Sequence, residues 1–311
     1  MSPFKKRALR LVRGVSRGID YLVLILSILL LFLAGYAFWD THQVFRVASS
    51  EQYSLYKPQR DDRLSFDDLK ERNGDLRGWI DVYGTKIDYP IVQGKDNSEY
   101  LNKTVLGEFS TAGSIFLDYR NAGDFSDYQN ILYGHYMAER KMFGDMELFK
   151  EESFFQSHPY GQLYGMDGKR WGIEFFAFLE TVGTDQDLLS PAKSSSDKKG
   201  LIEHIYETAH YTRSLDFGNQ EHLLVLDTCD LSKTNGRYMM VGRLTDEVHE
   251  NPFKSEGDGK VQVDRSHLFD VVYRLPPILI VFPIWFILLL IYCLYRYYRR
   301  RKEKKGGDDG K

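Results

Sequence analysis

The chain has 311 residues, with 41 lysines and arginines against 44 aspartates and glutamates, and a net charge of −3. Hydrophobic residues make up 43% of it and aromatic residues 14%, a composition that excludes general disorder. Residues 1–18 carry six basic and no acidic side chains, and residues 296–311 carry a net +5. The part between them therefore carries −14, and such a surface repels the phosphates of a nucleic acid.

Two uncharged apolar runs separate the basic ends from the acidic middle. Tyr21–Trp39 has 19 residues and Leu275–Tyr295 has 21, and a helix of about 20 apolar residues crosses a bilayer core. We predict two transmembrane helices, because a buried helix of a soluble protein rarely runs this long without a polar face. Basic flanks stay on the cytoplasmic side of a membrane, so both termini are predicted to be cytoplasmic and the domain between the runs external.

The first apolar run has a second interpretation. The small residues Ala34-Gly35-Tyr36-Ala37 lie where a signal peptidase would cut, so the run is also consistent with a cleaved signal peptide. The second run would anchor the domain in either case.

Short β-rich segments separated by turn residues dominate the external domain. A helix is predicted from Ser65, as its N-cap, to about Asn73. The predicted strands are 78–82, 87–92, 114–117, 130–133, 171–179, 222–228 and 237–244, and two more helices are predicted over 142–157 and 200–211. Many short strands with few helices indicate a β-sandwich or a closed barrel.

Cys229 is the only cysteine of the external domain, since the second cysteine, Cys293, lies in the second apolar run. An intramolecular disulfide in this domain is therefore excluded, and a lone exported thiol is a liability unless the protein uses it. The apolar strand 222–228 delivers Cys229 at its end, where a side chain can be both fixed and accessible. A buried structural cysteine is the alternative.

His135 follows a second apolar strand, 130–133, and a glycine. A histidine can activate a thiol and protonate a leaving group near neutral pH. The other seven histidines lie on a predicted helix, near the apolar runs, before a proline, or at the far end of the cysteine strand. His135 is therefore the best candidate for a partner of Cys229.

Arg237 begins the strand that follows Cys229. If the two strands form an antiparallel hairpin, Cys229 faces Arg237, and Arg243 faces Leu223 about 20 Å further along. A fixed guanidinium beside a cysteine can hold a substrate carbonyl or a developing oxyanion. A solvated hairpin arginine is the alternative.

The motifs Leu226-Asp227-Thr228-Cys229 and Tyr133-Gly134-His135, together with Arg237, resemble those of the sortases, the membrane-bound cysteine transpeptidases of Gram-positive bacteria. Further segments between Leu69 and Leu244 resemble class B sortases: 78–80, 87–94, 96–97, 100–101, 113–118 and 141–144. The second apolar run is similar to that of pilus-assembling sortases, although residues 41–64 contain no recognisable lid motif of that class.

This resemblance implies a mainly β fold, a closed eight-stranded barrel with a few peripheral helices, beside the two transmembrane helices. It implies that Cys229 attacks the threonine carbonyl of an LPxTG-like sorting signal, that His135 protonates the leaving group and that Arg237 completes the catalytic set. An amine, either a pilin lysine or a peptidoglycan cross-bridge, would then resolve the thioester. The residues implied at the substrate groove are Asn97, Tyr133, Asp227 and Thr228. The implied protein partners are surface proteins or pilin subunits that carry a C-terminal sorting signal, and no cofactor or metal is expected.

The predicted organisation follows from the apolar runs and the resemblance together. It comprises a basic cytoplasmic tail (1–18), a transmembrane helix (19–39), a stalk (40–64), the catalytic domain (65–246), a connector (247–274), a second transmembrane helix (275–295) and a basic cytoplasmic tail (296–311). Two other functions stay open: a non-enzymatic two-pass receptor or scaffold, in which Cys229 has no role, and a papain-like peptidase, in which water replaces the amine.

Overall fold

The computed structural model describes residues 3–58, 66–183, 185–197, 200–218, 221–230, 236–253 and residue 291, and at Cys229 and Asp230 it describes the backbone. The described residues from 44 to 253 form one compact unit, and the described residues before 44 belong to another. Four predictions lie outside the described residues: the N-cap at Ser65, the connector beyond 253, the second transmembrane helix except Ile291, and the C-terminal tail.

The first apolar run lies within one long helix, α1 (Pro3–Val47). Within the described part of the chain, Leu11–Val47 is the one helix that is long and apolar enough to cross a membrane. This helix is compatible with the predicted membrane association of the first run. It continues beyond the predicted span in both directions, so its last residues belong to the compact unit that begins at residue 44.

Eight strands of the compact unit close into a barrel, which confirms the predicted closed eight-stranded barrel. They are β1 (Leu76–Val82), β2 (Asp88–Val92), β3 (Ile115–Leu117), β4 (Gln129–Tyr133), β7 (Tyr160–Gly165), β8 (Arg170–Val182), β10 (His222–Asp230) and β11 (Gly236–Thr245). Their order is β11-β10-β4-β3-β2-β1-β7-β8, and β8 pairs with β11 to close the barrel. The β2–β3 and β4–β10 pairs are parallel, and the other neighbours are antiparallel.

Three short strands and four α-helices complete the described secondary structure of this unit, beside short 3-10 helices. A small hairpin consists of β5 (Tyr136–Met137) and β6 (Lys141–Met142), and β9 (Tyr211–Thr212) adds to the edge of β8. The helices are α2 (Phe66–Arg72), α3 (Glu152–Ser157), α4 (Gln186–Leu189) and α5 (Leu201–Thr208).

The prediction of one helix over residues 142–157 is wrong. A 3-10 helix spans Gly144–Lys150, and α3 begins only after Glu151, whose extended backbone interrupts the helical path. At Gly144 the chain passes so close to the carbonyl of Met137 that a Cβ would lie 2.3 Å from its oxygen. The close packing of this segment against the β5–β6 hairpin therefore overrides the helical pattern of its apolar residues.

Strand β10 is buried on both faces, which explains its continuous apolar sequence. Leu224 and Leu226 point into the barrel interior, whereas Leu223 and Val225 belong to a second cluster on the outer face of the sheet, with Leu201 of α5. Side chains alternate along a strand, so positions 227 and 229 continue the outer face to the end of β10.

The chain enters the compact unit through a packed segment, residues 44–58. Ala48 is fully buried, and its carbonyl accepts a hydrogen bond from the hydroxyl of Tyr89 at 2.8 Å. Further on, the ammonium of Lys57 pairs with the carboxylate of Asp81 at 2.6 Å. Much of the segment that the sequence presents as a polar stalk therefore lies against the barrel.

Candidate active site

The parallel pairing of β4 and β10 brings the two predicted reactive strand ends to one edge of the barrel. Tyr133 is the register partner of Asp227, and the amide of Gly134 donates to the Asp227 carbonyl at 3.2 Å. His135 lies two residues beyond Tyr133, and Cys229 lies two residues beyond Asp227. Because parallel strands end at the same edge of a sheet, residues 135 and 229 both follow the paired strand ends at this edge.

The antiparallel pairing of β10 and β11 adds the predicted arginine to this edge. Cys229 is paired with Arg237, and Leu223 is paired with Arg243. The hairpin register predicted from the sequence is therefore confirmed. Residues paired across an antiparallel sheet share one face, so positions 229 and 237 lie on the outer face together.

The ring of His135 is half-buried and is held by a backbone carbonyl. Its Nε2 lies 2.9 Å from the carbonyl oxygen of Leu101, in the short 3-10 helix Glu99–Leu101. A carbonyl oxygen only accepts hydrogen bonds, so Nε2 carries the proton of the neutral ring and Nδ1 is the basic nitrogen. This bond therefore selects the tautomer with which His135 can take a proton through Nδ1.

Arg237 is tethered by a buried carboxylate on the neighbouring strand. Its Nη1 donates to Oδ2 of Asp227 at 3.2 Å, and the Asp227 side chain is fully buried. Burial raises the pKa of Asp227 to about 6, and the positive charge of Arg237 opposes that rise. The other oxygen, Oδ1, has no hydrogen-bond partner among the described residues.

Two predicted substrate-binding residues meet at a second buried carboxylate, Asp118. Its Oδ2 accepts from Nδ2 of Asn97 at 2.8 Å and from the hydroxyl of Tyr133 at 3.1 Å. The guanidinium of Arg120 donates to Oδ1 from Nε at 2.8 Å and to Oδ2 from Nη2 at 2.7 Å.

These bonds decide the charge state of the Asp118 network. Burial favours the neutral acid, but the hydrogen bonds from Arg120 and Asn97 outweigh it and hold the pKa of Asp118 below its ordinary value. Burial and the negative charge of Asp118 raise the pKa of Tyr133. Tyr133 therefore keeps its proton and donates it to a charged carboxylate, which fixes both partners in place.

Thr228 is the one predicted site residue on the opposite face of the sheet. It is 1% exposed, and it shares its face with Leu224 and Leu226 of the barrel interior. Its hydroxyl oxygen has no hydrogen-bond partner among the described residues. The structure thus places Cys229, His135, Arg237, Tyr133 and Asp227 at one edge of the barrel. Asn97 is joined to Tyr133 through Asp118. Thr228 lies at the same edge, but its side chain is on the opposite face of the sheet.

No protein-family model matches the chain. Sortase B of Listeria monocytogenes is 33% identical to it over 179 residues, which cover 57% of this chain and 72% of that protein. The chain belongs to the class B sortase family. This sortase is therefore a cysteine transpeptidase, as the resemblance of its motifs implied.

Two solved structures extend the likeness from sequence to fold. A class B sortase of Streptococcus pyogenes involved in pilus biogenesis aligns with a TM-score of 0.54 at 38% identity, over 58% of this chain and 97% of that one. Sortase B from the type II pilus of Streptococcus pneumoniae aligns with a TM-score of 0.51 at 36% identity, over 59% of this chain and 99% of that one.

Sequence reasoning did not assign a role to Asp118 or Arg120 of this sortase, although a signal for them was present. Asp118 follows the apolar strand β3, and this is the same pattern that singled out His135 and Cys229. The carbonyl of Leu101 carries no such signal, because a backbone oxygen is common to every residue.

One group of described residues has the spacing of a metal site. Ligand atoms of Asp185, Asp187 and His204 lie within 4.8 Å of one another. Asp185 caps the N-terminus of α4 by accepting from two of its amides, and it also contacts Nε2 of His204 at 3.0 Å. These bonds account for the arrangement without an ion, and the group belongs to the helices α4 and α5 rather than to the strand ends.

Proposed function

We propose that this sortase cleaves an LPxTG-like sorting signal and transfers the acyl group to an amine, with Cys229 as nucleophile, His135 as acid and base, and Arg237 as oxyanion donor. The observation that supports this most directly is the pair of registers around β10. One brings position 229 beside the strand end of His135, and the other pairs it with Arg237. No other strand end in the described chain unites these three residue types.

In the first step, the Cys229 thiolate attacks the threonine carbonyl carbon, and the carbonyl oxygen gains negative charge. Arg237 stabilises that oxygen by hydrogen bonding. The C–N bond then breaks, the C-terminal piece leaves as an amine with a proton from His135, and a thioester remains.

In the second step, an acceptor amine attacks the thioester carbon and gives up a proton to Nδ1 of His135. The C–S bond breaks, a new amide forms and the Cys229 thiolate is restored. The tautomer that Leu101 selects suits this step, because the basic nitrogen is then Nδ1. Asn97 and Tyr133 would bind the sorting signal, held in place by Asp118.

We further propose that both apolar runs span the cell membrane, with the catalytic domain outside and both basic tails in the cytoplasm. The apolar helix α1 supports the first span, and the basic flanks support the orientation. An enzyme held in the membrane plane meets substrates with their own membrane tails at a high effective concentration. A cysteine introduced into each tail and labelled in intact cells tests this topology. Labelling of either tail by a membrane-impermeant reagent would contradict it.

The acceptor is proposed to be a lysine of a pilin subunit, in preference to a peptidoglycan cross-bridge. The second apolar run and the two streptococcal pilus sortases among its relatives support this choice. The class B pattern of the catalytic domain keeps wall anchoring as the second candidate.

The transfer reaction is tested by mass spectrometry of products from a peptide library, with the full-length enzyme in detergent and several amine acceptors. We expect cleavage between the fourth and fifth residues of an LPxTG-like peptide and an amide to the added amine. Hydrolysis products alone, at every amine concentration, would indicate a peptidase. Equal turnover by Cys229→Ala would contradict the assigned nucleophile.

The acceptor is tested in cells that lack this gene. We expect a high-mass ladder of covalent polymers to disappear from cell-wall extracts on a denaturing gel. An unchanged ladder, with a single monomeric surface protein released into the medium, would refute pilin joining and leave wall anchoring.

A further inference from the structure

The hairpin that directly follows His135 has strained backbone. Three of its residues that are not glycine have positive φ: Glu139 at 58°, Arg140 at 62° and Met142 at 49°. L-amino acids rarely adopt this region, and such strain persists only where the surroundings enforce it. The hairpin therefore depends on contacts outside itself.

One set of contacts holds the hairpin from the segment after it. Arg140 donates from Nε to Oδ1 of Asp145 at 2.5 Å and from Nη2 to Oδ2 at 2.9 Å, and the Asp145 side chain is fully buried. The amide of Phe143 donates to the carbonyl of His135 at 3.1 Å. This second bond closes the hairpin on the backbone of His135 itself.

A second set of contacts holds the hairpin from the entry segment of the chain. The hydroxyl of Tyr89 accepts from the amide of Met142 at 3.0 Å and donates to the carbonyl of Ala48 at 2.8 Å. Beside it, the ammonium of Lys141 donates to Oγ of Ser49 at 3.0 Å. The Tyr89 hydroxyl thus joins the hairpin to Ala48, and Lys141 joins it to Ser49, the two residues that follow α1.

We propose that Tyr89 is a positioning residue for His135, and that the entry residues form a brace of the active site, Ala48 through Tyr89 and Ser49 through Lys141. This inference rests on the proposed role of His135 in proton transfer. Proton transfer tolerates little displacement, because a misplacement of about 1 Å can lower a rate on the order of 100-fold. The brace fixes Met142, the hairpin fixes the His135 backbone, and Leu101 fixes the ring.

The brace predicts a specific kinetic signature. The sorting signal would bind through Asn97 and Tyr133, which are held by Asp118 and not by the hairpin. Loss of the Tyr89 hydroxyl should therefore lower kcat and leave KM for the peptide unchanged. A general loss of folded enzyme would also lower the apparent kcat, so kcat is expressed per active enzyme and the unfolding midpoint is measured beside it.

The test compares full-length Tyr89→Phe with a matched control, Tyr83→Phe. Tyr83 is also a buried tyrosine whose hydroxyl contacts two groups, Oε1 of Gln162 at 3.3 Å and the carbonyl of His249 at 3.1 Å. We expect Tyr89→Phe to lower kcat by roughly 10- to 100-fold. We expect Tyr83→Phe to change kcat less than twofold.

Hydrogen exchange gives a readout that does not depend on activity. The informative amide is that of Phe143, because it bonds to the His135 carbonyl and not to Tyr89. We expect faster exchange at Phe143 in Tyr89→Phe and unchanged exchange in Tyr83→Phe. A wild-type kcat together with wild-type exchange at Phe143 would overturn the brace.

Two milder variants keep the proposal testable if Tyr89→Phe does not fold. Ser49→Ala and Lys141→Met each remove one side of the same hydrogen bond, so each should lower kcat. The double variant should have a kcat no lower than that of either single variant. Additive losses, or no loss in either, would overturn the brace. If the wild-type enzyme transfers no acyl group, or Cys229→Ala equals it, the proposed function fails, while exchange at Phe143 still tests the brace.

Discussion

Arg237 stands opposite Cys229 in the register of the β10–β11 hairpin. Its guanidinium is tied to the buried carboxylate of Asp227, so its planar fork is fixed at the strand end where Cys229 lies. A fixed donor stabilises a developing oxyanion better than a mobile one, because it needs no reorganisation during the reaction. The geometry therefore couples three residues of one hairpin, and each can be tested separately.

Cys229→Ala should abolish acyl transfer and leave the fold intact. A side chain at a strand end contributes little core volume, and the chain has no other thiol outside the second apolar run. Transfer is measured with a sorting-signal peptide, and the fold by circular dichroism. Cys293→Ala is the matched control and should retain wild-type activity; turnover near wild type in Cys229→Ala would refute the assignment.

Arg237→Lys should be nearly as damaging as Arg237→Ala. Lysine keeps the charge but loses the planar fork, and the loss of one oxyanion donor lowers kcat on the order of 10²–10³-fold. Steady-state kinetics of both variants provide the measurement. A lysine variant with normal kcat would show that the position supplies charge alone, or nothing.

Arg243→Ala is the matched control on the same strand. Arg243 donates to Glu174 at 2.9 Å and to Glu221 at 3.0 Å, and its register partner is Leu223, far from the strand end. We expect a lower unfolding midpoint and a kcat within a few-fold of wild type. Equal losses of kcat in Arg243→Ala and Arg237→Ala would contradict the catalytic role of Arg237.

Much of the barrel could be predicted from the sequence because its strands are bounded by turn residues and rich in apolar side chains. The β10–β11 register followed from counting residues on either side of the turn. Strand β7 escaped prediction, because its run from Tyr160 to Gly165 mixes two glycines and a glutamine with its apolar residues. Only the closed barrel, with a neighbour on each side, makes that segment a strand.

The candidate site could be proposed from the sequence where residues end strands, and not where folding brings distant segments together. His135 and Cys229 were proposed because each follows an apolar strand. The placement of Thr228 in the groove came from the resemblance, and strand alternation turns its side chain to the barrel interior instead. The carbonyl of Leu101 and the brace at Tyr89 arise only from tertiary packing, so no local pattern marks them.

Asp227→Asn should change the pH dependence of stability. The pKa of Asp227 is about 6 in the folded state against 3.8 ordinarily, so the folded protein binds this proton more tightly than the unfolded chain. The stabilising contribution is fully present below about pH 4 and is lost as the pH rises through 6. Relative to wild type, Asp227→Asn should gain about 2 to 3 kcal/mol of unfolding free energy between pH 4 and pH 7.5.

Denaturant unfolding of both proteins at the two pH values measures this change. Asp118→Asn serves as the opposite control, because the pKa of Asp118 is lowered and its charged form stabilises the fold at neutral pH. A pH-independent difference between wild type and Asp227→Asn would contradict the raised pKa of Asp227.

Asn97→Ala and Tyr133→Phe should raise KM for the sorting-signal peptide non-additively. Both side chains bind the same oxygen, Oδ2 of Asp118, so the loss of one already loosens the other. We expect KM to rise several-fold in each single variant. In the double variant, we expect KM to rise by less than the product of the two single increases. Fully additive changes in a double-mutant cycle would show that the two residues act independently.

The parallel β4–β10 pair also determines when the enzyme becomes reactive. Parallel strands need a long crossover between them, and contacts between distant parts of a chain form late in folding. Before that pairing, a thiol in a disordered chain is mostly protonated at neutral pH and is a weak nucleophile. The residues of the proposed site therefore come together only when the barrel closes, so reactivity depends on a long-range step of folding.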